Sequence, residues 1–346
     1  MPRRASFLTR NTYNRRQTTM TAIRCQLLAS IFCLLTILMP QAHAEDSASA
    51  PLHLVVPFAP GGPSDLMARK LGEQLGARMH RSVIVDNKAG GGGSIAASFV
   101  SRAEPDGSTI LWTTSTIAID PVLRPSLPYD VQKDLTPIVT AMISPLVVLI
   151  NPKLPVHDIA GLVAYAKEHP GRLNYGSGGV GTSLHMSTEL FMLDTGTKMT
   201  HVPYKGASET VVGMLSNDIQ LLFNPMPTAL QYGKSGQLRA LAVASPKRSE
   251  AWPELPTVAE SGVRGLADFD ASLWYALYAP GKTPKPVVDT LNKEINAALQ
   301  DPSMKRFLRE QGMETLGDTP EQARQRLDKE IHQWREVVKA AQIKLN

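Results

Sequence analysis

The sequence predicts an α/β fold of two domains, each a mostly parallel sheet flanked by helices. Three observations predict it. Short apolar runs of strand length alternate with longer amphipathic stretches, the order that lays helices against parallel strands. Glycine clusters fall where a strand gives way to a helix, as tight strand-to-helix turns require. Of the 346 residues, roughly 300 follow an N-terminal leader, more than one core usually spans.

The leader comes first. Arg3, Arg4, Arg10, Arg15, Arg16 and Arg24 precede residue 45, and no acid does. An uncharged apolar run of 13 residues, Leu27 to Met39, leads to Pro40 and to Ala42-His43-Ala44. A basic stretch, an apolar run and a small-x-small site read as a secretory signal over 1–44, cleaved after Ala44, with Met1 or Met20 as its start. The run is too short for the roughly 20 residues that span a bilayer.

Removing the leader changes the composition. The chain has 36 Lys and Arg against 31 Asp and Glu, but six of those bases lie in the leader, leaving 30 bases against 31 acids. The body lacks the basic excess that nucleic acid or an anionic membrane surface demands. Cys25 and Cys33 are the two cysteines; without them the body has no disulfide, Cys-ligated zinc or Cys nucleophile.

From Glu45 onward the elements alternate. Strand-length runs occur at Leu52–Val56, Ser82–Val85, Thr109–Trp112, Leu146–Ile150, Ile219–Phe223 and Leu238–Val243. Between them, Met67, Leu71 and Leu75 repeat at helical spacing. Ile159, Leu162, Val163 and Ala166 follow Asp158 as N-cap, and Met186, Leu190 and Leu193 follow Thr182 or Ser183. Three later helices announce themselves with a capping residue before Pro: Thr283-Pro284, Asp301-Pro302 and Thr319-Pro320. Gly312 closes the second, and Ala323, Leu327, Ile331, Trp334 and Val338 make one apolar stripe on the third. No low-complexity linker divides the chain, so it is expected to cross between domains through strands, near Leu146–Pro152 and Ser272–Pro280. That gives one domain over 45–150 plus 273–346 and a second over 151–272.

Three glycine clusters carry the functional signal: Pro60-Gly61-Gly62-Pro63-Ser64-Asp65, Gly90-Gly91-Gly92-Gly93-Ser94 and Gly176 to Ser183. Such loops let the N–H groups of a helix start approach an anion; they also serve simply as turns. Two of similar layout, one per domain, point to a cleft. Gly176, Gly178 and Gly181 spell a dinucleotide fingerprint, but no Asp or Glu ends the following strand, Met199 to Gly206. Ser177 lacks the glycine two residues upstream that a nucleophile elbow needs. The histidines show no metal-ligand spacing, and no metal or cofactor is expected. His185 reads as a pocket wall or an ordinary helix residue. Asp65 reads as a helix first-turn acid; were the chain an enzyme, these two would be its acid and base.

An ordered set of motifs resembles the Bug family, solute receptors of tripartite tricarboxylate transporters. The set comprises Val56-Pro57-Phe58-Ala59-Pro60-Gly61-Gly62 with Asp65, Pro105-Asp106-Gly107, Tyr175-Gly176-Ser177-Gly178, Val202-Pro203-Tyr204-Lys205-Gly206, Leu238 to Val243, Leu255 to Gly262, and Trp274 with Ala279 to Pro284. It runs over essentially all of the mature chain, although Ala89 to Gly93 departs from the family's turn at that place. The resemblance implies a type II periplasmic binding fold whose domains close on a small organic carboxylate, without catalysis. It further implies a monomer in the periplasm that serves membrane transporter subunits or a membrane sensor. It places Phe58, Ala59, Pro60, Gly61 and Gly62 around the proximal carboxylate, with Asp65 in the same loop motif. Ser177, Gly178, Gly179, Thr182 and Ser183 form the counterpart, with His185 among the expected ligand-binding residues. By position, Thr114, Ser115, Tyr204, Lys205 and Gly206, and Asn224 with Pro225, line the rest.

Overall fold

The computed structural model describes residues 50–124, 126–341 and 343. The leader over 1–44 lies outside the described residues. No helix among them is long and apolar enough to cross a membrane.

Two sheets organise the chain. The first runs β1 (Leu52–Val56), α1 (Pro63–Met79), β2 (Val83–Asn87), α2 (Ser94–Ser101), β3 (Thr109–Thr114), α3 (Thr116–Leu123) and β4 (Leu135–Ser144). The second takes β5 (Leu146–Ile150), α4 (Ile159–Glu168), β6 (Asn174–Ser177), α5 (Ser183–Thr195), β7 (Thr200–Pro203), α6 (Ala207–Ser216), β8 (Leu221–Pro225), α7 (Met226–Gly233) and β9 (Arg239–Val243). The chain then returns through β10 (Leu273–Pro280), followed by α8 (Lys285–Leu299), α9 (Pro302–Glu310), β11 (Glu314–Thr315) and α10 (Pro320–Ala341). Strand order is β11-β4-β10-β3-β1-β2 in the first sheet and β7-β6-β8-β5-β9 in the second.

Both sheets are mixed rather than mostly parallel. β1 is parallel with β2 and β3, and β6 with β7 and β8. β10 pairs antiparallel with β3 and β4, and β5 antiparallel with β8 and β9. These two strands arrive from the other sheet without a helical crossover, so no right-handed βαβ connection dictates their direction. Pro145 alone separates β4 from β5, and β5 belongs to the second sheet. The change of sheet therefore falls at Pro145, before the boundary expected after residue 150.

The helix starts follow their capping chemistry. Asp158 accepts the Gly161 N–H at 2.7 Å, Asp301 that of Ser303 at 2.8 Å, and Thr182 that of His185 at 3.5 Å. Thr319 and Gln322 bond reciprocally, Oγ1 to backbone N–H and Oε1 to backbone N–H, closing a capping box. α8 differs from expectation: Pro284 occupies its N-cap, and the Thr283 hydroxyl is buried without a partner among the described residues. A core cluster runs from Leu52, Met67 and Trp112 of the first half to Val148, Tyr175 and Phe223 of the second. The α10 stripe of Leu327, Ile331 and Trp334 seals Val55, Leu111 and Trp274 on another face.

Candidate functional site

The loop after β1 takes its shape from Asp65. That carboxylate is buried at 4 % exposure, and its Oδ2 accepts the Gly61 N–H at 3.0 Å and Arg69 Nε at 2.9 Å. Its Oδ1 accepts Asn87 Nδ2 at 2.9 Å, and the same amide donates to the Phe58 carbonyl at 3.0 Å. Gly61 sits at φ +82°, in the left-handed region. Burial pushes the Asp65 carboxyl up, but Arg69, the Gly61 N–H and Asn87 outweigh it and hold it below the usual carboxylate value. Asp65 is thus a clasp on the loop, its oxygens committed to protein donors rather than free for acid–base work.

Opposite stands the loop after β6. Ser177, fully buried, has its Oγ 2.7 Å from His201 Nε2 and donates to the Gly179 carbonyl at 2.9 Å. His201 packs 4.1 Å, centroid to centroid, from His185, whose Nδ1 accepts the Gly181 N–H at 3.3 Å. Tyr175 stacks on both rings and donates its hydroxyl to Glu189. Burial, with the neighbouring His201, pushes His185 down to about 3, and burial pushes His201 down to about 4. Burial also raises the Glu189 carboxyl, against the Tyr175 bond. Both imidazoles are therefore neutral at pH 7 and serve as a rigid backing for the glycine loop. Neither Ser177 nor His201 lines the cavity in front.

Hydroxyl groups join the two halves. Ser115 Oγ lies 2.7 Å from Ser183 Oγ, and the Thr116 hydroxyl accepts the Ser183 N–H at 3.1 Å. Arg124, paired with buried Asp120 at 3.1 Å, reaches across to the Val180 carbonyl at 2.9 Å.

Between the loops lies a cavity lined by Phe58, Ala59, Gly62, Thr114, Gly178 and Thr182, all anticipated from sequence. A second, outer opening shares Phe58 and Gly178 and is lined by Gly179, Tyr204, Lys205, Arg124 and the turn Gly90 to Gly93. The other expected residues line neither space. Pro60 and Gly61 are exposed at the loop tip; Asp65, Ser115, Ser177, Ser183 and His185 are buried in the supports just described. Asn224 is fully buried, its Nδ2 donating to Thr210 Oγ1 at 3.2 Å and its Oδ1 without a partner among the described residues.

Sequence reasoning missed several walls. Ser64 is fixed by a hydrogen bond from Trp112 Nε1 at 2.9 Å. Tyr275, from β10, is 1 % exposed and lines the cavity beside Leu273, and its hydroxyl makes no hydrogen bond among the described residues. Burial raises its phenol well above the ordinary value, so the group stays a donor. An apolar strand conceals such a residue, because only the sheet order brings β10 beside β3. Pro63, Thr116, Leu184 and Glu209 also line it, together with Gly206 and Pro225, which the sequence had offered by position.

The arrangement offers backbone N–H groups at the starts of α1 and α5, hydroxyls from both sheets and an apolar lining. No cationic side chain lines the inner cavity, and no group of His, Cys, Asp and Glu that could hold a metal occurs among the described residues. The tripartite tricarboxylate transporter family receptor model, TctC, matches residues 67–343. The chain belongs to this family. Protein BugT of Bordetella pertussis is 35 % identical over 328 residues, covering 94 % of this chain and all of BugT. A solved structure of R. palustris Rpa4515 with adipate is 34 % identical with a TM-score of 0.81, covering 85 % of this chain and 98 % of that one. MatC from Rhodopseudomonas palustris with bound malate is 27 % identical with a TM-score of 0.79, covering 83 % and 98 %. The chain thus has the two-domain α/β fold of periplasmic binding proteins in the TctC family, whose members are receptors.

Proposed function

We propose that the protein is a periplasmic receptor that captures a small organic carboxylate in the inner cavity and delivers it to the membrane subunits of a tripartite tricarboxylate-type transporter. The reading rests on one observation above all: the starts of two helices, one under each sheet, open onto a single apolar cavity without a basic side chain. The first N–H groups of a helix have no intrahelical partner, and the helix dipole makes that end favourable for an anion. The family membership and the carboxylates bound by Rpa4515 and MatC support the same class of ligand.

In this reading Phe58, Ala59, Gly62, Thr114, Gly178 and Thr182 touch the ligand, with bridging water completing contacts that backbone alone does not reach. The remaining expected residues shape those six. The lobes comprise the chain before Pro145 with its return after residue 272, and the chain between. They close as a monomer by bending at β4–β5 and at β10. The leader is cleaved after Ala44 and no bond of the ligand is made or broken.

Calorimetric titration tests the proposal, with the chain from Glu45 refolded to strip ligand and titrated with mono-, di- and tricarboxylates and with neutral sugars. At a ligand concentration of 100 times its dissociation constant, a native-state ligand adds about 2.7 kcal/mol, so a melting scan reads the same answer. Binding of a carboxylate and not of sugars is expected; binding of neutral compounds alone would remove the anion cradle.

A further inference from the structure

Glu209 is the one charged residue that lines the inner cavity among the described residues. It is exposed and stands in the first turn of α6. Its Oε2 accepts the Lys205 N–H at 3.1 Å, and its Oε1 has no hydrogen-bond partner among the described residues. Three helix starts thus meet the cavity: α1 through Gly62 and Ser64, α5 through Thr182 and Leu184, and α6 through Gly206 and Glu209. At the first, the first-turn carboxylate of Asp65 is bound to Gly61, Arg69 and Asn87 and does not line the cavity, and at the second the first turn holds no acid. The third is already filled by the protein's own carboxylate, which takes up the field an anion would otherwise seek there. The cations nearby, Arg124 and Lys205, line the outer opening and not this cavity, and Arg124 is spent on Asp120 and Val180.

We infer that Glu209 is a specificity-determining residue that rejects a ligand with a second carboxylate and favours one whose far end is an ammonium. This deepens the receptor reading and rests on it. The physical basis is like-charge repulsion inside a site with no basic side chain to offset it, a repulsive element that discriminates between ligands sharing one end. A cation at the far end gains where a carboxylate loses.

Three six-carbon ligands separate the cases, since they share the first carboxylate and chain length: adipate, hexanoate and 6-aminohexanoate. Their dissociation constants would be measured by titration calorimetry on the ligand-stripped protein and on Glu209→Gln. The wild type is expected to bind 6-aminohexanoate tightest and adipate at least about tenfold weaker, which corresponds to ~1.4 kcal/mol. Glu209→Gln retains an acceptor for the Lys205 N–H and so keeps the helix start, and it should bring the three constants together. Adipate bound by the wild type as tightly as 6-aminohexanoate overturns the inference, and so does an unchanged ratio in Glu209→Gln. Failure of the receptor reading is distinguishable, because then none of the three, nor any carboxylate of the wider panel, binds either protein.

Discussion

Ser115 Oγ and Ser183 Oγ lie 2.7 Å apart although 68 residues separate them, one following β3 of the first sheet and the other opening α5 beneath the second. Both are buried, and Ser183 is also within 3.1 Å of the Thr116 hydroxyl. The contact fixes the start of α5, and with it one side of the cavity, against the end of β3.

Breaking that pair should therefore cost both stability and affinity. Ser183→Ala leaves the Ser115 hydroxyl short of a partner in a dry place, which costs about 1–3 kcal/mol. Urea unfolding of both single variants and the double variant measures the coupling; additive effects would show that the two hydroxyls act independently.

Tyr275→Phe should separate binding from folding. Its hydroxyl has no partner among the described residues, so the unfolding midpoint should barely move. A neutral donor lost from the cavity should weaken a carboxylate ligand by roughly tenfold, about the worth of one hydrogen bond to a charged group. Titration of one carboxylate against both proteins decides; equal affinities would place the ligand away from β10.

The histidine pair predicts the acid limb of stability. The folded values of about 3 for His185 and about 4 for His201 lie below the ordinary 6.5. The unfolded chain therefore takes up protons that the folded chain refuses. Stability is full above pH 6.5 and is lost as pH falls through the folded values. Glu189, raised by burial, acts in the opposite sense as pH rises through its own titration. Replacing both histidines by Gln should flatten the slope between pH 6.5 and 4 in denaturant titrations, even if it lowers stability at neutral pH.

Asp65→Asn should loosen the first loop. The folded carboxyl is held below 3.8, so its stabilising contribution is present above that value and fades as pH falls through the lower, folded one. The gap in unfolding midpoint between wild type and variant should be widest near neutral pH and narrow in acid. A gap independent of pH would mean that the clasp does not depend on charge.

Arg124→Ala should be costly for a different reason. Asp120 is 1 % exposed, and burial lifts its carboxyl to about 6 against the pull of Arg124. Removing the guanidinium strands a buried acid, a loss of about 3–5 kcal/mol, and also frees the Val180 carbonyl. Asp120→Asn in the same chain should recover much of it in equilibrium unfolding.

The sequence by itself determined the local pieces. Capping at Asp158, Thr182, Asp301 and Thr319, the strand-to-helix glycine loops and the α10 stripe were all legible, because each rests on neighbours within a few residues. The two loops that meet at the cavity were legible for the same reason: each is a glycine-rich turn from a strand into a helix. Tertiary structure decided what lies behind and between them. Asp65 and His185 changed from candidate chemistry to supports, since their partners Asn87 and His201 come from other strands. Tyr275, Ser64 and Glu209 entered the wall because sheet order places β10 beside β3 and folds α6 against the same space. The mixed strand directions followed from the chain crossing at Pro145 and returning through β10. Long-range pairing of this kind leaves no periodic trace in a single sequence, because it depends on which elements pack together and not on the spacing within any of them.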